Sequence, residues 1–271
     1  MRKNNKLLIV MTIIALALMS IFFINFKDLL STFEEEAKPD NTTKVILIDP
    51  GHGGIDGGAC SNDGICEKNI NLSISQKLEK ILQSDGYKVI LTRYEDTGLY
   101  TEGKTVREKK IEDLNKRVEM KKDSNCDLFL SIHLNTFPQA SCKGAQVWYS
   151  RFKDSKKIAD MMQENLKTDL DPSNHRLAKP AETHYKVLRA NDTMPGVIVE
   201  CGFLSNYEES RKLKEEDYQQ KIAESLAKSI SNYYKNGENW RIKSTYVKIS
   251  RFFLIFAHKW NWIWLSHMVL W

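Results

Sequence analysis

Four side chains in this sequence have the types and surroundings of a hydrolytic metal site. His52 sits in "IDPGHGG", Glu67 opens "EKNINLSIS", His133 lies in "DLFLSIHLN" and Glu200 in "VIVECGFLSN". Two imidazoles and a carboxylate suit zinc, and three protein ligands leave the fourth position of a tetrahedral ion to water. Zinc held this way lowers the pKa of that water to about 7, which gives a nucleophile near neutral pH. A second carboxylate, off the metal, can take the water's proton and pass it to a leaving group. His52, Glu67 and His133 are the candidate ligands for one zinc ion per chain. Glu200 is the candidate general base.

Each has a plain structural alternative. A histidine among glycines is most often a loop residue, and His133 can cap a loop by hydrogen bonding. A glutamate at a helix start is favoured electrostatically with no function at all. Spacing alone leaves Glu67 between these two readings. Glu200 is harder to dismiss, because a carboxylate ending an apolar strand is costly if it is buried without a partner. His175 and His184 lie in a polar loop that can approach the site. They read as solvated, as do His258 and His267.

The elements around these residues alternate. "VILI", Val45–Ile48, is a buried-looking strand that Pro50 and Gly51 stop. A helix is expected from Glu67 to Ser84, with Ile70, Ile74, Leu78 and Ile81 on one face. "YKVILTR" is a strand, and a charged helix covers Val106 to Lys122. Strands follow at Cys126–Ile132 and Ala145–Ser150, then a helix from Ser155 to Leu166 and a long polar loop, Lys167 to Lys186. "GVIVE", Gly196–Glu200, is the last strand. A final helix spans Gln219 to Tyr234, with Ile222, Leu226 and Ile230 facing inward. Such alternation predicts an α/β domain, a mostly parallel twisted sheet with helices on both faces. Ligands of open α/β sheets bind beyond the carboxyl ends of the strands. His52, His133 and Glu200 each follow an apolar run, so one sheet edge can gather them.

The chain has 271 residues and a formal net charge of +5. The positive residues are spread along it, with no basic stripe for nucleic acid. Residues 1–6 carry Arg2, Lys3 and Lys6, and residues 7–26 run without a charge. About 20 apolar residues span a bilayer, and a leading positive flank keeps the N-terminus in the cytoplasm. The segment reads as an uncleaved transmembrane anchor that places the catalytic domain outside the cytoplasm. The rival reading is a cleaved signal and a secreted protein. Residues 27–43 read as a linker and 44–236 as the catalytic domain. Residues 237–271 hold five of the six tryptophans but show no cap and no period. They read as a divergent extension outside the fold, with an interfacial membrane segment as the alternative. Five cysteines leave at least one unpaired within the chain. Cys60 and Cys66 share a loop, where a disulfide and a pair of small buried side chains are equally open readings.

Together, "IDPGHGG", "EKNINLSIS", "LTR", "DLFLSIHLN" and "VIVECGFLSN" resemble the zinc-dependent N-acetylmuramoyl-L-alanine amidases of the type 3 amidase family, in that family's order. The likeness covers Lys44 to Tyr234. It implies peptidoglycan as substrate, zinc as cofactor, His52, Glu67 and His133 as ligands, and Glu200 as the catalytic glutamate. It also settles Glu67, which spacing does not. An anchored catalytic domain without a wall-binding repeat is most similar to the germination-specific branch. That branch modifies the spore cortex from the space between the forespore membranes and leads to muramic δ-lactam. An activating protein partner is compatible with this reading. Two other readings compete: a zinc peptidase acting within stem peptides, and a catalytically silent, membrane-held peptidoglycan-binding protein. The loop "ACSNDGIC" before Glu67 departs from the family pattern and bears on how firmly that ligand is held.

Overall fold

The computed structural model describes residues 43–61 and 64–235, and most of residues 9–27. The basic segment Arg2–Lys6, most of the linker, and the tail with His258 and His267 lie outside the described residues. The N-terminal helix, α1 (Ile9–Lys27), has 19 residues and a mean hydropathy of 2.5. At about 1.5 Å per residue that is close to the thickness of a bilayer core.

A second unit, Thr42–Tyr234, holds the sheet. Its elements are β1 (Val45–Pro50), α2 (Glu67–Ser84), β2 (Lys88–Leu91), α3 (Val106–Asp123), β3 (Leu128–Asn135), β4 (Gln146–Tyr149), α4 (Ser155–Leu170), β5 (Lys179–Pro180), α5 (Lys186–Arg189), β6 (Gly196–Phe203) and α6 (Tyr207–Leu213). A last helix, α7, covers residues 216–235. The strand order is β2-β1-β3-β6-β4-β5. The first four strands run parallel and β4 pairs antiparallel with β6. The sheet is therefore mostly parallel, as the alternation of strands and helices predicts.

Strand side chains alternate between faces, and the two faces differ in kind. Ile46 and Ile48 of β1, Leu128, Leu130 and Ile132 of β3, and Val197 and Val199 of β6 pack with apolar residues of α2, α4 and α7. The opposite face starts equally apolar, with Leu47, Phe129 and Ile198 against Val187 and Leu188 of α5 and Val118 of α3. Further along the same strands, and by the same alternation, this second face turns polar: Asp49, Ser131, His133 and Glu200. Two strands run on past the ends the sequence suggests. β3 continues through His133 to Asn135 and β6 through Glu200 to Phe203. His133 and Glu200 therefore stand on a strand face, not beyond strand ends. The ladder partners extend that far, and a short apolar run does not reveal it. Within the polar loop the structure adds β5 and extends α4 to Leu170. The short helices α5 and α6 have too few residues to show a period.

Buried arginines hold the chain where β1 meets the His52 loop. Arg117 of α3 donates to Asp49, to Pro50 O at 2.9 Å and to His52 O at 2.6 Å, and its Nε bonds Asp113 at 2.6 Å. Arg93 donates to Pro50 O and Gly51 O, each at 3.0 Å, and to Lys68 O at 2.8 Å. Burial alone would raise the Asp49 carboxyl. Arg117, Thr92 and Ser131 outweigh that and hold it below its usual value. Removing one partner of a buried ion pair typically costs about 3–5 kcal/mol. Arg117→Met is expected to destabilise the protein by about that much at neutral pH. A depressed carboxyl contributes stability above its unfolded pKa of about 4 and loses it as pH falls through the folded value. The deficit of Arg117→Met should therefore shrink as pH falls from about 4 toward that depressed folded value, where Asp49 becomes neutral and no longer needs a partner. Urea unfolding against pH, with a chelator in every sample, measures both.

Candidate active site

The site is assembled from β1's exit loop, the start of α2 and the polar face of β3 and β6. His52 follows Gly51 with φ 62°, in the left-handed region that a histidine seldom adopts. The arginine bonds to the carbonyls of Pro50, Gly51 and His52 hold this conformation in place. A Cβ on Gly51 would lie 2.3 Å from the His133 ring, so only glycine allows the two segments to close. The His52 and His133 rings meet edge to face, with centroids 4.8 Å apart.

Glu67 is buried, and one carboxylate oxygen faces both rings. Oε1 lies 3.2 Å from His52 Nε2 and 3.0 Å from His133 Nδ1, and it accepts from Leu134 N at 2.9 Å. The second oxygen, Oε2, accepts from Ala59 N at 2.9 Å. One ligand atom from each of His52, Glu67 and His133 can be chosen within 4.8 Å of one another. Among the described residues this is the one such grouping of potential metal ligands. Burial opposes charge on both partners, but the His–Glu contacts prevail. The Glu67 carboxyl is held far below its usual value, and Asp56 and Glu67 push His52 up to about 9.

His52 Nδ1 bonds Asp56 Oδ2 at 2.9 Å, and Lys110 pairs with the same carboxylate. When this bond takes the ring's Nδ1 proton, Nε2 is left as the bare nitrogen. That histidine–carboxylate pairing is common behind metal-binding imidazoles. The sequence reading missed Asp56. Its signal was weak: a carboxylate four residues after His52, still within the glycine loop.

Glu200 is the register partner of His133 across β3 and β6, on the same face, with Gln146 beside it on β4. It is 7% exposed, and its Oε2 has no hydrogen-bond partner. Burial holds its carboxyl above the usual range. The Tyr185 hydroxyl, from the residue before α5, interacts with it, and the Tyr185 ring packs 5.7 Å from Trp148. A cleft of about 310 Å³ opens over the site, lined by His52, Asp56, His133, His184 and Tyr185 among others. His184 is thus exposed and at the cleft, while exposed His175 lies on a different part of the surface.

Cys60 and Cys66 form a disulfide in the loop before Glu67. Cys126 and Cys201 are buried free thiols, and Cys142 is half-buried and free.

Fold and site together define an enzyme class. Residues 46–232 match the family model of the N-acetylmuramoyl-L-alanine amidases, and the chain belongs to that family. It is 38% identical over 193 residues to the germination-specific N-acetylmuramoyl-L-alanine amidase of Bacillus subtilis (strain 168), a match covering 70% of this chain and 80% of the relative. Among solved structures it is similar to the CwlD amidase from Clostridioides difficile in complex with the GerS lipoprotein. That match has 45% identity and a TM-score of 0.68, and covers 70% of this chain and 98% of the other. An N-acetylmuramoyl-L-alanine amidase from Clostridium difficile 630 follows at 29% identity and a TM-score of 0.60, covering 70% and 96%.

Proposed function

We propose that the protein hydrolyses the amide between the N-acetylmuramic acid lactyl group and L-alanine in peptidoglycan, with one zinc ion held by His52, Glu67 and His133. The observation that carries this reading is the meeting of those three side chains beside a buried Glu200 with one carboxylate oxygen free of hydrogen bonds. The donor set fits the ion. Two imidazoles and one carboxylate converge, and His52 has a carboxylate behind it. When bound, zinc lowers the pKa of a water to about 7 and polarises the scissile carbonyl. Glu200 would accept a proton from the attacking water and deliver it to the departing L-alanine nitrogen. Burial raises its carboxyl above the usual value, the direction that strengthens a general base. The β3–β6 register sets Glu200 beside His133 but leaves it free of the ligand cluster. Tyr185, which lines the cleft, hydrogen-bonds the Glu200 carboxylate.

The similarity to a germination-specific amidase supports a role in spore-cortex modification, where removal of the stem peptide precedes muramic δ-lactam formation. By the same likeness, a lipoprotein partner is a reasonable expectation for this chain. Helix α1 supports membrane anchoring with the catalytic domain outside the cytoplasm. Recovery of the full-length chain in the soluble fraction would exclude this.

Mass spectrometry of muropeptides after digestion of purified peptidoglycan tests the reaction. Free stem peptides beginning with L-alanine, alongside unsubstituted muramic acid, are expected. Cleavage within the stem peptide would mark a peptidase instead, and unaltered muropeptides a silent binding protein.

A further inference from the structure

The disulfide lies directly against a candidate ligand. Cys66 is the N-cap of α2, so the half-cystine is covalently joined to Glu67. On the far side of the bridge, Ala59 exchanges two hydrogen bonds with Glu67. Glu67 N donates to Ala59 O at 2.7 Å, and Ala59 N donates to Glu67 Oε2 at 2.9 Å. The bridged loop thus grips one carboxylate oxygen while the other faces the two histidines. The same loop packs onto the site at Gly58, whose φ is +67°. A Cβ there would lie 2.5 Å from Glu67 Oε2 and 2.7 Å from His52 Cδ2. Gly57 lies against both sulfurs, and its N-terminal neighbour Asp56 is the carboxylate behind His52. Cys60 is exposed, so the bridge can be reached by a thiol reagent.

We propose that the Cys60–Cys66 disulfide is a redox latch on the metal site. Closed, it holds the Glu67 carboxylate in register with His52 and His133. Opened, it frees residues 57–61 and 64–66 to relax and metal affinity falls. The inference rests on the reading of these three residues as ligands. To close the latch, the two thiols transfer two electrons and two protons to the disulfide of an oxidoreductase, which departs as a dithiol. A reducing dithiol reverses the exchange. Cytosolic thiols stay reduced, and oxidation belongs to the far side of the membrane. The latch therefore gives tight metal binding only to protein that has crossed.

The test is the zinc affinity of the intact protein in detergent, by competition with a chromogenic chelator. Three forms are compared: oxidised, reduced by a phosphine that is then removed, and C60S/C66S. The zinc Kd is expected to rise roughly tenfold to a hundredfold in the reduced and substituted forms, the range seen when groups supporting a ligand are lost. Circular dichroism should be unchanged. Equal affinities in all three forms would overturn the latch. So would an effect of reduction that persists in C60S/C66S, which places it at Cys126, Cys142 or Cys201. Should C60S/C66S fail to fold, the reduced wild-type protein decides alone. Unfolding on reduction also overturns the proposal, because the latch acts locally. An oxidised protein that takes up no zinc would instead refute the ligand reading.

Discussion

Glu200→Gln is expected to stay folded, keep its zinc and lose at least about a hundredfold in turnover. The substitution preserves the shape of the side chain and its reach on the polar face of β6. It cannot accept the water's proton. General acid–base catalysis typically contributes about 10²–10⁴-fold, or roughly 3–5 kcal/mol of barrier at about 1.4 per decade. Glu200 is also nearly buried with an oxygen that bonds nothing, so a neutral amide there relieves a desolvation cost. Stability should hold or rise while activity collapses. Metal content and steady-state rate on peptidoglycan are measured on the same preparation. Loss of zinc along with activity would make Glu200 a ligand. Near-normal turnover would assign the proton transfer elsewhere, with exposed His184 at the cleft as the nearest alternative.

His133→Ala and a change at His52 are expected to empty the site altogether. His52 needs care, because its φ is 62°. Alanine is strained in that conformation, whereas asparagine tolerates it. His52→Asn therefore separates loss of a ligand from loss of the loop. A metal acting as Lewis acid contributes several kcal/mol, so either variant should fall at least about a thousandfold. Bound zinc, by elemental analysis, should drop well below one per chain. If both variants retain one ion per chain, the ligand assignment is wrong.

Much of the framework was legible in the sequence because it rests on local pattern. The apolar cores of β1, β3 and β6 stand out as short runs between turn residues. Helix α2 announces itself by the spacing of Ile70, Ile74 and Leu78, and its bounds fall at Glu67 and Ser84 as expected. What stayed hidden depends on partners distant along the chain. β3 and β6 extend each other through His133 and Glu200, and neither run shows this alone. Arg93 and Arg117 look like ordinary surface charges, because a buried arginine differs from a solvated one only by what it bonds. Asp56 is one carboxylate in a loop until the His52 ring is placed beside it. Cys60 and Cys66 left pairing open, because close spacing fits a bridge and two free thiols equally.

The order of the strands has a consequence for how the protein is made. β6, followed among the described elements by α6 and α7 alone, fits between β3 and β4 in the middle of the sheet. Until it arrives, β3 has an open edge along "LFLSIHLN", an apolar stretch of the kind that invites pairing with another chain. A polypeptide emerging from its N-terminus cannot close this sheet in stages. It remains a sticky intermediate until residues 196–203 appear, and contacts so distant along the chain form slowly. A translocated copy must therefore be shielded, or kept dilute, during the interval before its central strand docks.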